Sequence, residues 1–341
     1  MTKKEKFPII DKAGLFRAGV LVFILGILSV WSWLSMIRMP GKSYHGPLGP
    51  LNEEQLALRA ALKGDIEKLA GEIGPRSLWQ YNSFKAAAEF VGASLQQAGF
   101  EVRRQQYKVE GCDCWNLEVE IPGSGKPDEI VVVGAHYDTV YDTPGANDNG
   151  SGVAALLALA RKFADRKSQR TLRLVAFATE EPPYFQTHQM GSLFYARRCR
   201  QRSENIVAML SLETIGYYSD EENSQSYPWP FSVFYPGKGN FVAFVGNYSS
   251  RSLVRQVVKS FRQQVKFPCE GAALPSVIPG VGWSDHESFW RFDYPALMVT
   301  DTAPFRYRHY HQPSDTPDKI SYDQLTLVVD GLAQVIAELL E

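Results

Sequence analysis

Four stretches bearing histidine or carboxylates sit at the edge of apolar runs, and a fifth lies late in the chain. His136 and Asp138 follow the run Ile130–Val133 in IVVVGAHYD. A histidine leaving a buried strand at its carboxyl end stands where open α/β sheets bind ligands. A carboxylate two residues on can accept the second ring N–H and fix the tautomer that a metal-binding imidazole needs. Alone, such a pair is more often structural. Asp148 lies in GANDNGSG, residues 145–152, ahead of the apolar run VAALLALA. Asp and Asn cap helices routinely, but the glycines exceed what a cap requires and permit a tight backbone that aims Asp148 at the end of the previous strand. Glu180 and Glu181 end LRLVAFAT, and Glu213 ends NIVAMLSL. Adjacent carboxylates at the end of a buried strand are costly unless a positive charge lies beside them. His309, His311 and Asp315 fall in HYHQPSDT, in a loop before the last helix. If the strands are parallel neighbours, these residues converge at one edge. Four converging carboxylates repel, and two divalent metals would balance them.

The elements needed to bring them together are legible as a strand–helix alternation. Strands are expected over Glu101–Val109, Trp115–Ile121, Ile130–Ala135, Leu172–Ala178, Ile206–Leu212, Phe241–Val245 and Ala296–Thr300. Helices are expected over Glu53–Ile73, Ser83–Ala98, Gly152–Ala164, Met190–Arg200, Ser250–Val265 and Tyr322–Leu340. Near-continuous apolar strands such as IVVVGA suggest a sheet buried on both faces, and the alternation suggests parallel crossovers. Residues 217–240 form a long aromatic insertion between strands; loops of that length are often lids or binding loops, and a self-packed surface loop is the equal alternative.

Ala18–Ile37 is uncharged and mostly apolar. Its 20 residues would span ~30 Å as a helix, the thickness of a hydrocarbon core. Trp31 and Trp33 lie near its far end, where aromatic belts sit. The segment is long for a signal peptide, and Ser35-Met36-Ile37-Arg38 has no small-x-small cleavage pattern. Lys3, Lys4, Lys6, Lys12 and Arg17 precede it, while only Arg38 and Lys42 follow closely. The positive-inside rule then puts residues 1–17 in the cytoplasm, makes 18–37 the anchor and 38–52 a Pro- and Gly-rich linker, and sends a domain over 53–341 to the periplasm or the cell exterior. Net charge is −1, which argues against nucleic acid as a partner. Cys112, Cys114, Cys199 and Cys269 match no zinc-finger or redox spacing, and outside the cytoplasm some of them could pair.

Taken together, GAHYDT, GANDNGSG, Glu180-Glu181, the acid Glu213 and the His-x-x-x-Asp-Thr ending in Asp315-Thr316 resemble the co-catalytic zinc exopeptidases of clan MH. Within these the chain is most similar to the bacterial double-zinc aminopeptidases, whose wider relatives include glutamate carboxypeptidase, glutaminyl cyclase and the transferrin receptor ectodomain. The resemblance runs from about Ile66 to Glu341 and includes Ile73-Gly74-Pro75-Arg76 and Trp283-Ser284-Asp285-His286. It implies a mixed, mostly parallel sheet with helices on both faces. It also implies two Zn²⁺ per chain, replaceable by Mn²⁺ or Co²⁺. Asp148 would bridge the metals, His136 and Glu213 would complete one site, and Glu181 and His311 the other, His311 being preferred to His309 by the offset of Asp315-Thr316. Glu180 would be the general base, and Asp138 and Asp315 would orient His136 and His311. An unusual backbone at Asp148, with a cis peptide to Asn149, is implied as well. The expected activity is hydrolysis at a free N-terminus.

Two features depart from the pattern. The strand-terminal acid is usually Asp, and here it is Glu213. The path from Glu181 to Gly191-Ser192 is longer, through Pro182-Pro183-Tyr184-Phe185, which changes the pocket rim. The alternatives are a glutaminyl cyclase-like acyltransferase, which in that group uses one zinc on the counterparts of Asp148, Glu181 and His311, and a non-catalytic interaction ectodomain. Retention of all five ligands favours hydrolysis.

Overall fold

The computed structural model describes residues 12–341; Lys3, Lys4 and Lys6, used above to orient the anchor, lie outside the described residues. Eight strands form one sheet: β1 (Arg103–Val109), β2 (Cys112–Ile121), β3 (Lys126–His136), β4 (Arg170–Phe177), β5 (Asn205–Glu213), β6 (Val242–Asn247), β7 (Cys269–Leu274) and β8 (Ala296–Thr300). Their order is β1-β2-β4-β3-β5-β8-β6-β7. The central strands β4, β3, β5 and β8 run parallel, as do β6 and β7, while the β1–β2, β2–β4 and β6–β8 pairings are antiparallel. The mixed, mostly parallel sheet expected from the sequence is thus present.

The helices are α1 (Lys12–Ser32), α2 (Glu53–Ile66), α3 (Tyr81–Gln97), α4 (Gly152–Phe163), α5 (Gly191–Gln201), α6 (Arg251–Gln264), α7 (His286–Trp290) and α8 (Tyr322–Leu339). Period-two alternation along β3 explains why both faces are covered. Val131, Val133 and Ala135 enter the larger core with residues of α2, α4, α6 and α8. Ile130 and Val132 enter the opposite core with Tyr195 and Cys199 of α5 and Phe289 of α7. A strand apolar on both faces has to be sandwiched in this way. All four cysteines are free thiols, and Cys114, Cys199 and Cys269 are buried.

Three elements differ from expectation. Strand β7 was not foreseen: CEGAAL is short, rich in small residues and preceded by Pro268. Helix α7 has only 5 residues, too few for a helical period to show. The third difference is the segment after the anchor. α1 continues in wider turns over Trp33–Ile37, and the apolar window within Ala13–Ile37 has no buried residue. The chain that follows is not a free linker. Met39 is buried, the Ser43 hydroxyl donates to the Cys269 carbonyl (2.9 Å) and accepts from the Cys269 N–H (3.0 Å), and Arg262 donates to the carbonyls of Pro40 and Gly41. Residues 38–43 therefore cover the exposed edge of β7, which is the usual remedy for unpaired strand N–H and C=O groups. The folded body begins at about Arg38 rather than at Glu53.

Candidate metal centre

The parallel strands deliver the chemistry to one end of the sheet. His136 is the last residue of β3, and its neighbours on either side are β4 and β5. Glu180 and Glu181 follow the end of β4, and Glu213 is the last residue of β5. Asp148 arrives from the loop before α4. That loop is tight because its glycines are required. Gly145 has φ +65°, and a Cβ there would lie 2.4 Å from the Asp148 carbonyl oxygen; a Cβ on Gly152 would lie 2.5 Å from that of Leu212. The Asn149 side chain ties the loop to β5, donating to the Leu212 carbonyl (2.7 Å) and accepting from the Thr214 N–H (3.1 Å). The Asp148–Asn149 peptide is cis.

The result is two clusters that share one carboxylate. His136 Nε2 lies 3.4 Å from Asp148 Oδ1 and 3.3 Å from Glu213 Oε2. His311 Nε2 lies 3.1 Å from Asp148 Oδ2 and 3.2 Å from Glu181 Oε2. Each oxygen of Asp148 thus faces a different histidine. Among the described residues, His136 Nε2, both Asp148 oxygens, Glu181 Oε1 and His311 Nε2 have no hydrogen-bond partner although they are buried. Buried polar atoms are rarely left so, and imidazole and carboxylate donors are the set that zinc takes. His309 stays out of the cluster, with Nδ1 2.8 Å from Ser314 Oγ.

The electrostatics carry the same message. Burial works against charge on His136, but the carboxylates of Glu180 and Glu213 outweigh it and hold the ring well above its usual value. Burial likewise opposes the His311 cation, yet Asp148 and Glu181 push it up to about 10. Glu180 is raised well above the usual carboxylate range by burial and then by the charges of Glu181 and Glu213, and Glu181 is raised to about 7 by burial and Asp148. So much negative charge in so little space holds protons tightly, and divalent cations would displace them.

Two acids expected beside the histidines make their shortest bonds elsewhere. Asp138 was expected to orient His136 through its carboxylate. Instead its backbone carbonyl accepts from His136 Nδ1 (3.2 Å), and the carboxylate oxygen stands 3.6 Å away. The carboxylate accepts the Glu180 and Glu181 N–H groups, both at 3.2 Å. The tautomer is fixed all the same: with Nδ1 donating, Nε2 presents its lone pair to the cluster. Asp315 was expected to orient His311. It accepts instead the N–H groups of Asn147 (2.9 Å) and Asp148 (3.0 Å) and the Tyr307 hydroxyl (2.7 Å). Both acids hold backbone at its turn, satisfying N–H groups that would otherwise be unpaired.

Other supporting residues were not singled out for these roles by the sequence. Ser284 donates to Glu213 Oε2 (2.7 Å). Arg76, fully buried, donates to the carbonyls of Tyr137 (2.7 Å) and Gly145 (2.8 Å), clamping the His136 strand end to the Asp148 loop. Burial lowers it to about 10 against the pull of Asp315, Asp138 and Asp148. Beside Glu213 opens a cavity lined mainly by apolar side chains, with Tyr310 at the metal end. The aromatic insertion contributes Tyr227, Phe231 and Tyr235, but Trp229 and the Pro182–Phe185 segment are not among its walls. Tyr184 is buried and hydrogen-bonded to Glu110 (3.1 Å).

Residues 116–336 match peptidase family M28. The chain belongs to this family. It is therefore a metal-dependent peptidase, and zinc is the metal that the membership supports. It is 35% identical to the uncharacterized protein YfbL of Escherichia coli K12 over 81% of this chain and 86% of that one. It is 26% identical to a probable zinc metalloprotease of Leptosphaeria maculans over 63% of this chain, spanning about half (52%) of that longer protein. A zinc aminopeptidase from Bacillus subtilis shares the fold at a TM-score of 0.67, with 16% identity, over 83% of this chain and 95% of that one. A glutaminyl cyclase from Porphyromonas gingivalis does so at 0.61, with 18% identity, over 82% and 98%.

Proposed function

We propose that this peptidase is a membrane-anchored, two-zinc aminopeptidase whose catalytic body lies outside the cytoplasm. The observation that carries the two-metal reading is Asp148, whose two buried oxygens each face a separate histidine–carboxylate pair. Asp148 would bridge, with His136 and Glu213 on one side and Glu181 and His311 on the other. Zinc bound there supplies Lewis acidity to the scissile carbonyl and lowers the pKa of water. The chain's own groups do the rest. Glu180, buried 3.8 Å from His136 Nε2, takes the proton of the attacking water and returns it to the leaving amine. Asp138 holds the Glu180–Glu181 turn, and Arg76 holds the Asp148 loop against the His136 strand end. The apolar cavity next to Glu213 takes the side chain of the N-terminal residue.

A cyclase would need only Asp148, Glu181 and His311. The full second set, with Ser284 fixing Glu213, favours hydrolysis. The anchor rests on Ala13–Ile37, a helix long and apolar enough to cross a membrane, and on the basic residues before it. The test is zinc analysis of the full chain together with a panel of free and N-acetylated peptides and N-terminal glutaminyl peptides. Two zinc ions per chain and cleavage only of free N-termini are expected. One zinc with cyclisation of N-terminal Gln would refute the reading.

A further inference from the structure

The cavity beside the metal cluster lies directly against the end of the apolar helix. Met36 and Ile37 pack on Ala272, Leu274 and Val281, and these three residues also line the cavity. Phe231, Tyr235 and Ile278 belong to the same cluster and the same wall. Outward from those loops stand large apolar side chains with no cover: Trp229 is 90% exposed, Val277 88% and Val233 78%. Scattered apolar residues on a surface are ordinary. These three lie on two loops whose inner residues Phe231, Tyr235 and Ile278 share one cluster with Met36 and Ile37 at the end of a helix of membrane length, and large apolar exposure concentrated on such loops points to a specific neighbour.

The attachment has no slack. The backbone after Ile37 is bound along β7 by Ser43, and Arg255 donates to the Arg38 carbonyl. The body therefore cannot stand off from the bilayer on a tether. At the same level Trp31 contacts Tyr248, with ring centroids 6.0 Å apart, and Arg251 lies over Tyr248 at 4.5 Å. Trp, Tyr and Arg gathered at one end of a span are the composition of the headgroup layer.

We propose that this face rests on the outer leaflet of the membrane that α1 crosses, with Trp229, Val233 and Val277 in the interface. The cavity mouth then opens at the bilayer surface, and the preferred substrates are peptides with a large apolar N-terminal residue that partition into that surface. The inference rests on the anchored-aminopeptidase reading above and adds the orientation and the route of the substrate.

The experiment uses the full chain in phosphatidylcholine–phosphatidylglycerol vesicles, in a Cys112→Ser background. A fluorophore is placed in turn at Val277→Cys, at Val22→Cys in α1 and at Asp128→Cys, exposed at the far end of β3, and quenched by brominated lipid or by aqueous iodide. Lipid quenching at 277 that resembles 22 and exceeds 128 is the expected result. Lipid contact at 22 with a water-exposed 277 overturns the inference and leaves the anchor standing; water at 22 removes the anchor itself. Shielding of 277 from both quenchers means that a second copy or another protein covers the face, and this also overturns the inference. In parallel, Trp229→Glu with Val277→Glu is compared with the parent on a vesicle-bound apolar peptide and on a soluble aminoacyl amide. The first kcat/KM should fall about tenfold, since charge opposes insertion, and the second should stay within about twofold, as for a surface change. Equal effects on both substrates overturn the inference, and the fluorescence arm remains decisive even if neither substrate is cleaved.

Discussion

Replacing Glu180 and Glu181 separately by glutamine tests the proposed division of labour between two adjacent residues. Glu180 stands 3.8 Å from His136 Nε2 and outside the two clusters that share Asp148. Glu180→Gln keeps shape and most hydrogen bonding but cannot accept a proton. It should keep the metals and lose roughly 10²–10⁴ in kcat, the contribution of a positioned acid–base group. Glu181 faces His311 and shares its cluster with Asp148. Glu181→Gln replaces a charged oxygen donor with a neutral one. Losing even a partner of a metal ligand typically costs about 10–100-fold in affinity, so losing the ligand charge itself should weaken metal binding by about 100-fold or more, roughly 2.7 kcal/mol. Activity in that variant should return in part with excess zinc. The assay is metal content by mass spectrometry and kcat on an aminoacyl substrate, each with and without added zinc. Metal loss from Glu180→Gln alongside full occupancy in Glu181→Gln reverses the assignment, and changes of only a few-fold in both remove the active site from this position.

Four further outcomes are expected. Chelation should lower the melting temperature, since a ligand at 100 times its Kd contributes about 2.7 kcal/mol; an unchanged melt after metal removal refutes tight binding. Zinc binding at pH 7 should release protons, because His311, pushed up to about 10, and part of Glu181, at about 7, must deprotonate first. Affinity should therefore rise with pH through neutrality, and calorimetry in buffers of different ionisation enthalpy measures the release. A chain starting at Arg38 should fold and melt higher than one starting at Gly46 by about 5 °C or more, because the latter uncovers β7 and loses the Ser43 bonds; equal melting temperatures would restore the linker reading. Phe231→Ala, in the cavity wall, should change discrimination among apolar N-terminal residues by roughly 10-fold or more, while Trp229→Ala should leave that discrimination unchanged on soluble substrates.

The strands were legible wherever β-branched and aromatic residues ran together, as in Ile130–Val133, and the candidates His136, Glu180, Glu181 and Glu213 stood out because they terminate such runs. Strand β7 escaped because Gly271, Ala272 and Ala273 carry little side chain to pattern. Its strand character comes from pairing with β6 and from the cover supplied by residues 38–43, and both are long-range. The same limit explains the linker: MPGKSYHGPLGPL has the composition of a spacer, and only a distant edge strand makes part of it ordered. The backbone bonds that Asp138 and Asp315 accept were missed for a different reason. Sequence offset places a carboxylate near a histidine but does not say which nearby N–H groups lack partners.

What assembles the centre is the path of the chain around β3. After β3 the chain crosses through α4 to β4 on one side, then through α5 to β5 on the other. The reversal leaves a crevice at the carboxyl end of β3, the place where two crossovers part. His136 is at its centre, Glu180 and Glu181 enter from the β4 side, Glu213 from the β5 side, and the start of α4 drops Asp148 between them. No single motif could build two clusters around one carboxylate. Three strand ends and one helix start do so because consecutive strands flank β3 instead of following one another. His311 completes the set from a loop 98 residues beyond Glu213 (311 − 213), where Asp315 fixes the Asp148 N–H. One short loop therefore both supplies the histidine of one cluster and positions the carboxylate that the two clusters share. Disturbing Asp315 should then loosen both clusters at once, whereas disturbing Ser284 should loosen only that of Glu213.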